Sequence, residues 1–183
     1  MSFKLGYLAG DQWREHSYAP LFKSVSGHGA DWLMVGVPSG DPLVLGKLLA
    51  CLNEPYFLLY VLHTPRGEGE PGRYQSPSLS GAEVDEFLLR FSGLLSRDAR
   101  HDFWIHSPPS RGTLVWDRHN ILHAYGPLDC YRSNLQALGF MEGAVEVPVP
   151  HEHHYRDEFD ADARALIDAL DWRRTPLQPQ DEQ

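Results

Sequence analysis

Residues 113–125, TLVWDRHNILHAY, place two apolar segments, 113–117 and 120–125, on either side of Asp117-Arg118-His119-Asn120. Aspartate and asparagine bond to nearby backbone and tolerate left-handed dihedrals, so the stretch predicts a β-hairpin with a tight turn. A hairpin commits the chain to an antiparallel pair. Further strand candidates fall at 31–37 (DWLMVGV), 56–62 (YFLLYVL) and 102–107 (DFWIHS). Segment 144–149 (AVEVPV) is weaker, because Pro148 suits an edge or a strand end. The β-α-β pattern over 31–62 would add one parallel pair.

Four helices are written between these strands. Asp41 and Pro42 give a cap and a first-turn proline before the stripe Leu45, Leu48, Leu49, Leu52. Ser80 and Glu83 form a capping box ahead of Val84, Phe87, Leu88, Phe91, Leu94 and Leu95. A third helix starts at Pro127, presents Leu128, Tyr131, Leu135 and Leu138, and stops at Gly139 with Phe140 folding back on Leu135. A fourth opens at Asp160 as its cap, uses Ala163, Leu166, Ile167 and Leu170, and ends before Pro176 with Arg173 and Arg174 near its carboxyl end. Strands in hairpins mixed with such helices imply an α+β fold: a single domain, residues 1–174, with a largely antiparallel sheet packed by about four helices. Residues 175–183 read as a polar tail that frays.

At 183 residues, 42% of them hydrophobic, the chain can bury a sizeable core. Its net charge of −9 excludes the basic face that phosphate neutralisation on nucleic acid requires. It suits a basic protein partner. No run is long enough to span a membrane, and the N-terminus lacks the apolar core of a secretory signal. Cys51 and Cys130 form no CxxC pair and are expected as small buried thiols, with the protein cytoplasmic.

Residues 67–72, GEGEPG, match GxGxxG literally. The dinucleotide reading fails because Pro71 interrupts the motif and no helix starts before Ser80 to meet a pyrophosphate. The stretch 63–78 is expected instead as a long, exposed, mobile loop, with Arg66 and Arg73 as candidate partner-binding cations. No Walker, GxSxG or HExxH motif occurs.

The segment PVPHEHHYRDEFD, 148–160, concentrates histidine and carboxylate. His151 and His153 lie two apart, so on an extended strand they share one face, with Glu152 and His154 on the other. Zinc accepts such imidazoles. A third ligand would come from His106, Asp117, His119 or His123, and convergence would follow if 148–154 paired beside the hairpin. Without a metal, the same imidazoles would stack on aromatics and hydrogen-bond to carboxylates. Cys130, among apolar neighbours, is a poor nucleophile.

The run GTLVWDRHNILHAYGPLDCY resembles small bacterial proteins, immunity-type proteins that neutralise toxins among them. That likeness covers about twenty residues, transfers no site, and implies a binding protein. The first expectation is therefore a non-enzymatic protein-binding module without cofactor, whose contacts would include Arg66, Arg73, His119, His123, His151 and His153. The second is a small hydrolase or zinc-dependent enzyme built on His106, Asp117, His119, His123, His151 and His153.

Overall fold

The hairpin lies at the centre of the molecule. The computed structural model describes residues 3–182. In chain order the strands are β1 (Leu5–Ala9), β2 (Gln12–Glu15), β3 (Leu21–Ser26), β4 (Asp31–Gly36), β5 (Phe57–Leu62), β6 (Gly72–Gln75), β7 (His101–Ser107), β8 (Gly112–Trp116), β9 (Ile121–Tyr125), β10 (Met141–Glu142), β11 (His151–His153) and β12 (Arg173–Thr175). The helices are α1 (Pro42–Leu49), α2 (Gly81–Arg97), α3 (Leu128–Ala137) and α4 (Asp160–Ile167). Nine strands form one sheet in the order β10-β3-β4-β9-β8-β7-β5-β6-β12, and β11-β1-β2 form a second. The fold is the expected α+β domain.

The sheet's core face follows from strand alternation. Side chains in register across an antiparallel sheet share a face. One buried row runs Val35, Leu122, Trp116, Phe103, Tyr60, Tyr74, and the next runs Leu33, Ala124, Leu114, Ile105, Leu58. Against them pack Leu45 and Leu48 of α1, Phe87, Phe91 and Leu94 of α2, and Tyr131 and Leu135 of α3. Each such side chain, fully buried, contributes about 1.5–3 kcal/mol. The opposite face carries Trp32, Met34, His123, Tyr125, Val115, Trp104 and Phe57 in half-exposed positions.

Local signals behave as their chemistry requires. Asp41 accepts from the Leu43 amide, and Ser80 and Glu83 complete a reciprocal capping box. Gly139 takes φ +85°, while the Phe140 amide bonds the Leu135 carbonyl at 3.0 Å. At the hairpin, Asn120 adopts φ +61°, a left-handed value that asparagine tolerates.

Several expectations are corrected. Segment 144–149 is not a strand; its Val145 packs instead on Tyr18 and Ile121. The strands of 31–62 do not pair with each other, and the sole parallel contact among the described strands joins β10 to β3. Asp160 is not a side-chain cap: it lies inside the first turn of α4 and accepts from Arg66 and Arg100 at 3.0 and 2.9 Å. Arg173 and Arg174 belong to β12, not to the end of α4. Cys51 and Cys130 are joined in a disulfide across α1 and α3, 79 residues apart, and Cys130 is exposed. That pairing is invisible in spacing because helix packing creates it.

The loop and the tail are also more ordered than their composition implies. Glu68 is buried against Arg100, with a 3.1 Å ion pair. Residues 72–75 form β6, which pairs with both β5 and β12. Asp181 is buried and accepts from Arg73 at 2.8 Å. No helix of the described residues is long and apolar enough to cross a membrane.

One buried group gives the fold a pH dependence. His101 is fully buried and stacks on Tyr60, with ring centroids 4.9 Å apart. Burial, followed by the charges of Lys4, Arg100 and His63, holds its pKa well below 6.5. The unfolded chain then binds a proton that the folded chain refuses. Stability from this residue is intact above pH 7 and falls as pH drops through 6.5, by up to about 1.4 kcal/mol per pH unit. His101→Phe, which preserves the stack, is expected to lose less melting temperature than wild type between pH 7.5 and 5.5. Equal losses in the two proteins would remove His101 from this role.

Candidate metal centre

The small sheet presents two histidines to the hairpin turn. β11 pairs with β1 in the register Leu5 with His153 and Tyr7 with His151, so both imidazoles project from one face. His119, at the tip of the β8–β9 turn, meets them. The ring centroids of His119, His151 and His153 are 5.5, 4.9 and 5.2 Å apart, a nearly equilateral triangle. One ligand atom from each lies within 4.8 Å of the others. Around a tetrahedral zinc, with Zn–N bonds of about 2.0–2.1 Å, nitrogens lie roughly 3.3 Å apart. Binding a metal would require the three rings to draw together by that difference.

Hydrogen bonding selects the nitrogen that each ring can offer. His119 Nδ1 lies 3.2 Å from Asp117 Oδ2, and His151 Nδ1 lies 3.0 Å from the Pro148 carbonyl oxygen. Both oxygens are acceptors, so each Nδ1 carries the proton and each Nε2 keeps its lone pair. A carboxylate or carbonyl behind a ligating imidazole is the usual outer support of a metal site. His153 Nε2 is buried with no hydrogen-bond partner. Burial, aided by the charges of His119, Arg118 and His151, lowers the His153 pKa to about 4. The ring is neutral at physiological pH, the form that binds metal.

Asp117 organises the turn as well as the ring. Its Oδ1 accepts from the amides of His119 and Ile121 at 2.9 and 2.8 Å. Its Oδ2 also faces His123 Nε2 at 3.4 Å. Burial pushes the Asp117 carboxyl up, but the hydrogen bonds from His119 and His123 outweigh it and hold the group ionised well below 3.8. Lys4, fully buried, donates to the Asp117 carbonyl at 3.0 Å and lies over the Trp116 ring. Burial lowers its pKa to about 8, against the pull of Asp117, Asp102 and Asp98. Lys4 thus ties the start of the small sheet to the turn that it faces.

The structure therefore gathers three of the named histidines and sorts out the others. His123 contacts Asp117 and, together with it, Trp104 and Tyr125, lines a cleft of about 710 Å³ whose lining includes none of His119, His151 and His153. His106 bonds Thr113 at 2.9 Å, and Thr113 lies four residues along the chain from Asp117, about 13 Å in an extended strand. Neither joins the triad. Arg66 and Arg73 are paired with Asp160 and Asp181, away from the histidines in both topology and partner. Convergence also arises differently from the expected way. The segment 148–154 does not pair beside the hairpin; β11 belongs to the small sheet, which packs its face on the turn. Sequence reading missed Tyr7, Arg14 and His16, which share that face through register; alternation in YLAGDQWREH was the available signal.

Comparison with protein-family models, curated proteins and solved structures finds no match for this chain.

Asp117→Asn would place an amide donor against His119 Nδ1 and disfavour the ligating tautomer. The variant is expected to keep its fold by circular dichroism and to lose zinc affinity by about 10- to 100-fold in competition with a chelating dye. Unchanged affinity would show that Asp117 does not orient His119.

Proposed function

We propose that this chain is a zinc-binding protein whose centre is formed by His119, His151 and His153, with the character of a metal-dependent hydrolase. The carrying observation is the triangle of imidazoles with two Nδ1 protons already committed to Asp117 and Pro148. Three protein ligands leave a fourth position for water or substrate, whereas structural zinc sites use four protein ligands. Zinc in such a site lowers the pKa of bound water and supplies a nucleophile at neutral pH. The chain's own part is to hold three imidazoles together, direct the Nδ1 atoms of His119 and His151 to Asp117 and Pro148, and keep the turn in place.

The alternative of a non-enzymatic, immunity-type module with a basic protein partner rests on the net charge of −9 and a short likeness. It gives no role to the converging histidines. The Cys51–Cys130 disulfide favours an oxidising compartment over the cytoplasm expected from cysteine count.

Elemental analysis and calorimetric titration test the proposal. One equivalent of zinc is expected, with affinity reduced at least tenfold by His119→Ala, His151→Ala or His153→Ala. His106→Ala and His123→Ala should retain the metal. A chain that takes up no stoichiometric zinc at micromolar concentration, or loses it equally with His106→Ala, would overturn the assignment.

A further inference from the structure

The Cys51–Cys130 bridge has two unlike ends. Cys51 follows α1 and is half-buried, packed against the core. Cys130, in the first turn of α3, is exposed. It also lines a cleft of about 560 Å³ with Pro127, Leu128 and Arg132. A small thiol therefore has room to approach the bridge from the Cys130 side. The expected burial among apolar neighbours does not occur, and with it goes the reason for treating Cys130 as inert.

One polar side chain attends both sulfurs. Asn134, one turn after Cys130 in α3, directs its amide nitrogen to Cys51 Sγ at 3.2 Å and lies 4.0 Å from Cys130 Sγ. The same amide donates to the Lys47 carbonyl of α1 at 2.9 Å. An amide N–H gains little from a disulfide sulfur and much more from a thiolate, because hydrogen bonds to an ionised acceptor are roughly twice as strong. The arrangement suits the state in which the bridge has opened and Cys51 carries the charge. Leu45 and Leu48 of α1 and Tyr131 and Leu135 of α3 belong to one buried cluster. That packing and the Lys47 bond involve no sulfur, so they hold α1 to α3 when the bridge is open.

We propose that Cys51–Cys130 is a thiol–disulfide exchange site for a small-molecule thiol, with Cys130 as the sulfur attacked and Asn134 as a positioning residue for the leaving Cys51. The incoming thiolate forms a bond to Cys130 Sγ, the Sγ–Sγ bond breaks, and its electron pair stays on Cys51 Sγ. A second thiolate attacks the substrate sulfur of the mixed disulfide and releases the Cys130 thiolate. Each cysteine takes up one of the two protons that the substrate thiols gave to solvent. Two substrate thiols are thereby oxidised to a disulfide, and the bridge is reduced to two thiols. Exchange is faster where the attacked sulfur is accessible and the leaving thiolate is stabilised. Cys130 supplies the first property and Cys51, through Asn134, the second. The proposal involves no metal and stands apart from the zinc reading.

Glutathione tests the order of events in the full-length protein. After brief exposure and quenching with N-ethylmaleimide, mass spectrometry is expected to find glutathione on the Cys130 peptide and maleimide on the Cys51 peptide. Glutathione on Cys51, or an even distribution, would overturn the choice of attacked sulfur. Asn134→Leu, which removes the donor at similar volume, is expected to slow opening of the bridge about fivefold or more, and Asn134→Ala to act in the same direction. In Cys51→Ser protein, where Cys130 is a free thiol, Asn134→Leu should change the rate of mixed-disulfide formation with oxidised glutathione by less than about twofold. Equal slowing in both backgrounds, or none in either, would remove Asn134 from the positioning role. A bridge that glutathione opens only after the protein has been denatured would overturn the site as a whole.

Discussion

Arg100 is the interaction on which the rest of the structure depends. Its side chain is wholly buried, and its guanidinium donates to Asp98 at 2.8 and 3.0 Å, Glu68 at 3.1 Å, Asp160 at 2.9 Å and the Arg156 carbonyl at 2.9 Å. Burial alone would lower its pKa, but the surrounding carboxylates more than reverse that and keep it charged. Removing one member of such a buried group leaves an uncompensated charge, at a typical cost of about 3–5 kcal/mol. One side chain thereby joins the end of α2, the start of β7, the 63–71 loop and the first turn of α4.

The same network fixes where the candidate centre lies. Asp98 Oδ2 accepts from the Arg156 amide at 2.8 Å, and the Ala99 amide donates to the His154 carbonyl at 3.0 Å. The segment that follows β11 is therefore held to the α2–β7 junction. The hairpin turn is held to the same region: Asn120 donates to the Ser96 carbonyl at 3.0 Å, and the Arg118 amide donates to Asp102 at 2.7 Å. His119 and the β11 histidines meet because both carriers are fastened to one buried frame. A site assembled in this way needs little reorganisation to receive a ligand, which is the condition for selective metal binding.

The arrangement also explains why the long Gly/Pro-rich loop is bonded to the core rather than standing clear of it. Its composition removes regular structure, but Glu68 needs Arg100 as partner once both are buried. The His63 and Thr64 amides bond the Arg100 carbonyl at 2.9 and 3.2 Å. In the same way β2 and β12 carry almost no apolar pattern, and backbone pairing with a neighbour defines them. Strands that bury nothing of their own leave no periodic trace in sequence.

The sequence by itself determined the elements that organise themselves locally. The Asp117–Asn120 turn, the Ser80–Glu83 capping box, the Gly139 stop and the apolar stripes of α1, α2 and α3 depend on interactions within a few residues. From these the α+β class and the antiparallel core follow. The alternation of His151 and His153 on one face was legible for the same reason, and so was a list of third ligands that included His119. Only the tertiary structure decided among His106, Asp117, His119 and His123, placed Arg14 on the triad's face, and joined Cys51 to Cys130. Those outcomes are contacts between segments from 32 to more than 100 residues apart. Their geometry is set by sheet order and by the buried Arg100 frame, neither of which leaves a local pattern in the chain.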